Sequence, residues 1–340
     1  MSDLFVLFEA KVDLECPKNI VPQEKICFHH RYLSESKNYK NLIFSGLRYV
    51  ITAKYDCLIL HTWYTCTQIF LIIILKILKK KYWIETDGNS IDYNENKLKK
   101  LFKSFLFKDA EGIFSSSINS DEYFIFYGVN KEKIHRYTFT SVSEIDVLPK
   151  NFDSFSKWEI RKNLGIEKNK KVILAVGRFI PRKGFDVLIK ACTTCWDVYF
   201  VGGKPTNDYL RLTKDMGLEN NVHFVNYCSK TELSNYYKAA DIFVLPTRYD
   251  SWGLVVNEAM SYGLPVVTTD CCGAGLEVLD HQHITIVPSD NAVALNHAIS
   301  TIFDNEELRI QLGNRNLEYA REHTIEKMVR DHICVFDDKG

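Results

Sequence analysis

Pro246-Thr247-Arg248-Tyr249-Asp250-Ser251-Trp252-Gly253-Leu254-Val255-Val256-Asn257-Glu258-Ala259-Met260 is the stretch on which the reading of the fold turns. An apolar run, Ile242 to Leu245, stops just before it. A helical pattern, Leu254 to Ser261, follows the glycine, and a second apolar run, Pro265 to Thr268, follows that. Continuously apolar strands that alternate with helices belong to a parallel sheet covered on both faces. In such sheets ligands bind beyond the carboxyl ends of the strands, where this stretch lies.

Working outward, the same alternation begins at Lys171. Strands are expected at Val172 to Val176, Val198 to Val201 and Val222 to Val225, with helices at Phe185 to Cys192, Asn207 to Met216 and Thr231 to Ala239. This is a doubly wound α/β domain. The first half gives a similar but weaker pattern. Strands are expected at Lys25 to His29, Cys57 to His61, Tyr82 to Thr86 and Gly112 to Ser115, and helices at Tyr39 to Ala53, Thr65 to Lys79 and Asn96 to Asp109. Leu148 to Ser156 carries Pro149, Asn151, Asp153 and two serines without helical periodicity, which suits a linker. The expected organisation is therefore two Rossmann-like domains, 1–150 and 151–340, with a cleft between them. Glu306 to Val335 reads as helical, with the last helix packing back on the N-terminal domain.

A chain of 340 residues can bury two cores of ordinary size. Formal net charge is zero, and residues 1–150 carry about three excess bases that the remainder balances, far too weak an asymmetry for a nucleic-acid partner. Ten cysteines include Cys192 with Cys195 and the adjacent Cys271 and Cys272, yet no second CxxC or His pair completes a zinc site. A reduced cytoplasmic protein is the expectation, since Met1 to Ala10 lacks the features of a signal peptide. The apolar run from Ile69 is broken by Lys76 and Lys79, well short of the roughly 20 residues that span a bilayer.

Two turns carry candidate chemistry. In the opening stretch, Gly253 lets backbone amides approach an anion, and the helix that starts at Leu254 has unpaired N–H groups that favour phosphate. Asp250 in the loop and Glu258 in the helix can accept hydrogen bonds from hydroxyls at different ends of a bound sugar nucleotide, although a helical Glu taken alone is more often solvated. The second turn, Gly177-Arg178-Phe179-Ile180-Pro181-Arg182-Lys183-Gly184, also joins a strand end to a helix start. Arg178 and Lys183 can neutralise a diphosphate, one as a planar fork and the other as a point charge. A basic turn alone is ordinary surface; what distinguishes this one is that both turns share a sheet edge.

This layout resembles the retaining glycosyltransferases of family 4, which have the GT-B fold of two facing Rossmann-like domains. The likeness is close over Lys171 to Leu279. The family's carboxylate pair falls on Asp250 and Glu258, with Asp where most members have Glu, and Asp-x-Trp-Gly-Leu is the form associated with capsule, O-antigen and exopolysaccharide enzymes. The resemblance implies that Arg178 and Lys183 hold the donor diphosphate, Glu258 the ribose hydroxyls and Asp250 the transferred sugar. Trp252, Gly253 and Leu254 would line the donor site, and Gly202 and Gly203 form the turn beside the nucleotide. Glu277, in the loop Cys271 to Glu277, would reach the donor or remain a solvated acid.

In the N-terminal half the Gly-rich acceptor loop of the family is missing, since no glycine precedes Gly46. Asp87, in Glu85-Thr86-Asp87-Gly88, matches the position that faces the reaction centre; it would support the attacking hydroxyl or the charge on the sugar ring, or simply form an Asp-Gly turn. His61 is a further candidate for the wall of the cleft.

The helix Asn96 to Asp109 sets Lys97, Lys99, Lys100, Lys103 and Lys108 against Leu98, Leu101, Phe102, Phe105 and Leu106. Its apolar stripe would ordinarily pack on the sheet; the alternative is a peripheral contact with an anionic membrane, which would place the enzyme at the inner face of the cell membrane. The expected activity is transfer of a hexose-type sugar from a nucleotide-diphosphate-sugar, the co-substrate, to a glycan or lipid-linked saccharide acceptor in surface polysaccharide biosynthesis. It is expected to be metal-independent, with no resident cofactor, and the chain holds no Asp-x-Asp motif. Two rivals stand beside it: a nucleotide-sugar epimerase of the same fold and a non-catalytic nucleotide-sugar-binding subunit. A nicotinamide dehydrogenase is disfavoured because no GxGxxG follows a strand.

Overall fold

The computed structural model describes residues 5–10, 29–34 and 39–337, apart from 53, 56, 89–90, 150–151 and 279–282; side chains are described from residue 43 onward, except that of residue 337. The chain forms two compact units, Met1–Arg136 and Tyr137–Gly340.

In the first unit, β1 (Phe5–Ala10) and β2 (His29–Ser34) pair in parallel, and α1 (Tyr39–Thr52) follows. Of the strand expected at Lys25 to His29, only His29 lies within the described residues. A separate parallel sheet of four strands runs β3 (Ile59–His61), β4 (Trp83–Thr86), β5 (Gly112–Ser115), β6 (Ile134–Arg136), in that spatial order. Between these strands lie α2 (Cys66–Ile77), α3 (Lys97–Phe107) and α4 (Ile118–Phe126). Thr65 starts α2 with a capping box, its hydroxyl accepting from Gln68 N while Gln68 reaches back to the Thr65 amide. Ile72, Leu75, Ile84, Phe107, Ile113 and Phe124 are fully buried in this core.

The second unit opens with α5 (Ser154–Asn163) and continues as β7 (Lys171–Val176), α6 (Phe185–Ala191), β8 (Trp196–Val201), α7 (Asn207–Asp215), β9 (Val222–Val225) and α8 (Lys230–Ala239). It then returns as β10 (Ile242–Leu245), α9 (Leu254–Ser261), β11 (Val266–Thr269), α10 (Gly273–Glu277), β12 (Ile284–Val287), α11 (Ala292–Asp304), α12 (Glu306–Glu322) and α13 (Ile325–Asp337). Its six strands are all parallel, in the order β12-β11-β10-β7-β8-β9. Alternate residues serve opposite faces: Ile173, Val198 and Val244 pack in one core, while Val172, Leu174, Phe243 and Leu245 pack in the other. Both faces are covered, which is why these strands read as unbroken apolar runs. With two such parallel α/β units, the chain has the GT-B fold.

Three expectations are corrected. The supposed linker contains a helix start: Asp153 accepts from Ser156 N at 2.8 Å, so the serines there form the first turn of α5. The units divide at residue 136, earlier than 150, because the chain beyond Arg136 is already bound to the second unit. Asp331 of α13 accepts from Thr138 N at 2.9 Å, and Ile325 N donates to Val142 O at 2.8 Å. Finally, the apolar stripe of α3 packs inward only in part: Leu106 is buried in the core, whereas Leu98, Leu101, Phe102 and Phe105 are all exposed.

Candidate active site

After β9 the chain crosses back to the other side of β7 and lays down β10. The β7–β10 pair is therefore the point where strand order reverses, the place where open α/β sheets bind ligands beyond the carboxyl ends of the strands. The basic turn leaves β7 at that place, and the acidic turn leaves β10.

Side-chain and backbone bonds stitch the two turns together. Gly184, at φ 66°, ends the basic turn, and a Cβ on it would lie 1.9 Å from Pro246 O, so only glycine lets the turns come this close. Arg248 N donates to Arg182 O at 2.8 Å, as does the buried Thr247 hydroxyl at 3.0 Å. Arg248 then clamps Asp186, the second residue of α6, through both terminal nitrogens at 2.9 and 2.8 Å. The same side chain donates to Pro181 O at 2.5 Å and to Asp290 at 2.6 Å. Burial is the largest single influence and works against ionisation of Asp186, but the Arg248 hydrogen bond, the charges of Arg248 and Lys190 and a backbone hydrogen bond together outweigh it and hold the carboxyl below its ordinary range.

Within this frame Lys183 Nζ pairs with Asp250 Oδ2 at 2.5 Å, and both side chains are close to nine-tenths buried. Asp250 is also fixed by its backbone to the loop after β11, its N–H donating to Cys271 O at 3.0 Å and its carbonyl accepting from Gly273 N at 3.0 Å. Gly253 adopts φ 93° at the start of α9, a left-handed conformation that turns the chain sharply into the helix. The first-turn amides of α9, at Leu254 and Val255, have no partner within the helix and open toward an anion. Arg178 is exposed at the start of the basic turn. Gly202 and Gly203 make the turn after β8, their amides both donating to Val225 O at 3.2 and 3.4 Å.

Glu258 is engaged on both oxygens: Oε1 accepts from Ser141 at 3.0 Å and Oε2 from Tyr237 at 2.9 Å. Burial pushes its carboxyl above the ordinary range despite these bonds. Each oxygen keeps a further lone pair for a ligand hydroxyl. Trp252 is 5% exposed, donates its indole N–H to Asn257 at 2.8 Å and packs edge-on against Phe139, so its bulk lies in the core. Glu277 ends α10 and acts electrostatically on the half-buried Tyr319, whose hydroxyl is pushed up to about 12, chiefly by burial.

In the first unit, register sets His61 beside Glu85 at the carboxyl ends of β3 and β4, with 3.6 Å between His61 Nδ1 and Glu85 Oε2. The Glu85 hydrogen bond raises the His61 pKa, burial opposes it, and the charges of Glu85 and Asp87 add to the rise. His61 and Asp87, found separately in the sequence, thus belong to one group that Glu85 completes. Among the described residues, no group of three or more His, Cys, Asp or Glu side chains could hold a metal ion, and no helix is long and apolar enough to cross a membrane.

Arg248 was not legible as a site residue, because its acidic partners stand 62 and 42 residues away. Ser141 and Tyr237, the partners of Glu258, are likewise invisible to spacing.

The fold is shared with solved structures. A HepE protein of Anabaena in complex with UDP superposes with a TM-score of 0.76 over 92% of this chain and 86% of its own, at 18% identity. A sucrose-phosphate synthase from Thermosynechococcus elongatus gives 0.74 over 98% and 88%, also at 18% identity. Among curated proteins, a D-inositol 3-phosphate glycosyltransferase of Corynebacterium glutamicum is 33% identical over 174 residues, 47% of this chain and 42% of that protein. The lipopolysaccharide core biosynthesis mannosyltransferase LpsB of Rhizobium meliloti is 28% identical over 200 residues, 54% of this chain and 56% of its own length. In these alignments the chain spans about half the length of its curated relatives. Residues 156–319, which hold the basic turn, the acidic turn and the strand reversal between them, match the family described as glycosyl transferases group 1.

Proposed function

We propose that the chain is a retaining glycosyltransferase that moves a sugar from a nucleoside-diphosphate-sugar to a glycan or lipid-linked saccharide acceptor in surface polysaccharide biosynthesis. The observation that carries this reading is the buried Lys183–Asp250 pair beside the first turn of α9 at the strand reversal. As the bond between the anomeric carbon and the phosphate oxygen breaks, negative charge grows on the diphosphate. Lys183, Arg178 and the amides at Leu254 and Val255 meet it. To take Lys183 the donor displaces the Asp250 carboxylate, which then accepts from hydroxyls of the transferred sugar. Glu258 accepts from the ribose, and Gly202 and Gly203 let the chain pass close to the nucleotide. Trp252 holds the acidic turn in place from the core. Asp87, with His61 and Glu85, serves the acceptor side. The fold of HepE, crystallised with UDP and with UDP-glucose, supports a nucleoside diphosphate as the ligand class.

A thermal-shift panel of nucleotide sugars tests this, followed by turnover with candidate acceptors. A ligand held at 100 times its Kd stabilises by about 2.7 kcal/mol. At least one nucleotide sugar should raise Tm, and Lys183→Ala should abolish that rise. Absence of a shift from every nucleotide sugar overturns the reading, and sugar-nucleotide conversion without an acceptor would assign the chain to epimerisation.

A further inference from the structure

Thr62 stands in a backbone conformation that its own side chain opposes. Its φ is 74°, in the left-handed region. Among the described non-glycine residues Lys79 and Asp290 also have a positive φ, at 53° and 59°, but neither branches at Cβ. A β-branched residue there is an outlier because Cβ crowds the backbone, whereas glycine or asparagine enters at little cost. Such a conformation persists only where its surroundings force it, and it gathers at working sites. Thr62 is buried one step past His61, the last paired residue of β3, and its N–H donates to Glu85 O at 2.8 Å.

The force comes from Gln68, in the first turn of α2. Its Nε2 donates to His61 O at 2.5 Å, before the kink; its Oε1 accepts from the Thr62 hydroxyl at 2.6 Å and, beyond the kink, from the Thr65 N–H at 3.4 Å. One amide thus grips the chain before, at and after the strained residue. Because α2 is anchored in the core by Ile72 and Leu75 and β3 has only three residues, a relaxed Thr62 would move the strand end and not the helix. That strand end is His61, whose Nδ1 lies 3.6 Å from Glu85 Oε2, with 57% of the His61 side chain exposed. A pair so exposed gains too little to hold its own geometry, which leaves that task to the backbone. On the reading that His61, Glu85 and Asp87 serve the acceptor, we propose that Gln68 is a positioning residue for sugar transfer, clamping Thr62 in its left-handed conformation and thereby fixing His61 against Glu85.

NMR titration of the His61 ring in the full chain, together with steady-state transfer kinetics, tests this. Glu85 and Asp87 raise the His61 midpoint above its ordinary 6.5. Gln68→Ala should return the midpoint toward 6.5 and lower kcat about tenfold or more, since a displacement of about 1 Å costs on the order of a hundredfold. The rise in Tm on adding a nucleotide sugar should stay as in the wild type. Gln68→Ala/Thr62→Gly should recover both midpoint and kcat, because glycine takes the left-handed conformation without a clamp. Gln68 also belongs to the capping box of α2, and Thr65→Ala breaks that box while leaving the clamp, so its His61 midpoint should match the wild type. An unmoved midpoint in Gln68→Ala overturns the proposal, as does a moved midpoint with unaltered kcat, or a double variant that recovers neither. If the wild-type chain transfers no sugar, the reading of the site fails, and the midpoints alone decide whether Gln68 holds His61.

Discussion

Arg248 shows how much of a candidate site can depend on a side chain spent on holding its frame. It holds Asp186, Asp290 and Pro181 O at once, and thereby fixes the basic turn against the acidic one. The grip on Asp186 is a fork on a carboxylate, a geometry lysine cannot reproduce. Arg248→Lys should therefore lower Tm by about 5 °C, the equivalent of about 2 kcal/mol, and weaken nucleotide-sugar binding even though Lys183 and Asp250 are intact. Calorimetry and a binding titration check both, and unchanged donor affinity would show that the turns hold without it. Lys183, Asp250 and Glu258 were legible because glycine, proline and charge mark their turns locally. What spacing could not give was their state: that Lys183 is already paired, that Glu258 is held by Ser141 and Tyr237, and that Trp252 is buried.

At the scale of elements, the sequence shows most where local chemistry and tertiary need agree. β9 and α9 run over the residues expected from apolar period and turn signals, because both faces of the sheet are covered. It fails where one residue type serves two purposes. Asp153 and its neighbouring serines suit a loop, but they also cap a helix, and α5 begins there. The stripe of α3 has the period of a buried face, and period does not say toward what a stripe faces. The pairing of β3 with β4 brings together what the sequence kept apart, setting His61 beside Glu85. Because the folded state raises the His61 pKa, its protonated form is favoured by folding. That contribution is fully present below the unfolded value, near 6.5, and is lost as pH rises through the folded value. NMR titration of the His61 ring should give a midpoint above 6.5, and Glu85→Gln should bring it back toward that value. A titration indifferent to Glu85→Gln would remove the pair from the acceptor-side group.

The whole molecule is two units, each with its own parallel sheet and core. In the second unit, the side-chain partners of Lys183, Asp250, Glu258 and Arg248 all lie between Tyr137 and Gly340. A chain starting at Tyr137 should therefore fold cooperatively and bind a nucleotide sugar about as well as the full protein, while transferring nothing. Equal affinities by calorimetry would check this, and a fragment that folds but does not bind would place part of the donor site in the first unit. Residue 150 was the expected division because Pro149 and Asn151 interrupt the pattern, whereas the bonds that tie Thr138 and Val142 to the second unit come from α13, with Thr138 and Asp331 standing 193 residues apart in sequence.

If the donor binds as proposed, the largely buried Lys183–Asp250 pair also decides who is turned away. A ligand gains Lys183 only by offering an acceptor at least as strong as the carboxylate already 2.5 Å from it. A free sugar or a nucleoside brings no charge to exchange, and entering would strand a buried cation, a carboxylate or both without a partner, at a cost of several kcal/mol. On the proposed reading, discrimination against the uncharged halves of the donor would come from an occupied lysine and not from a steric wall.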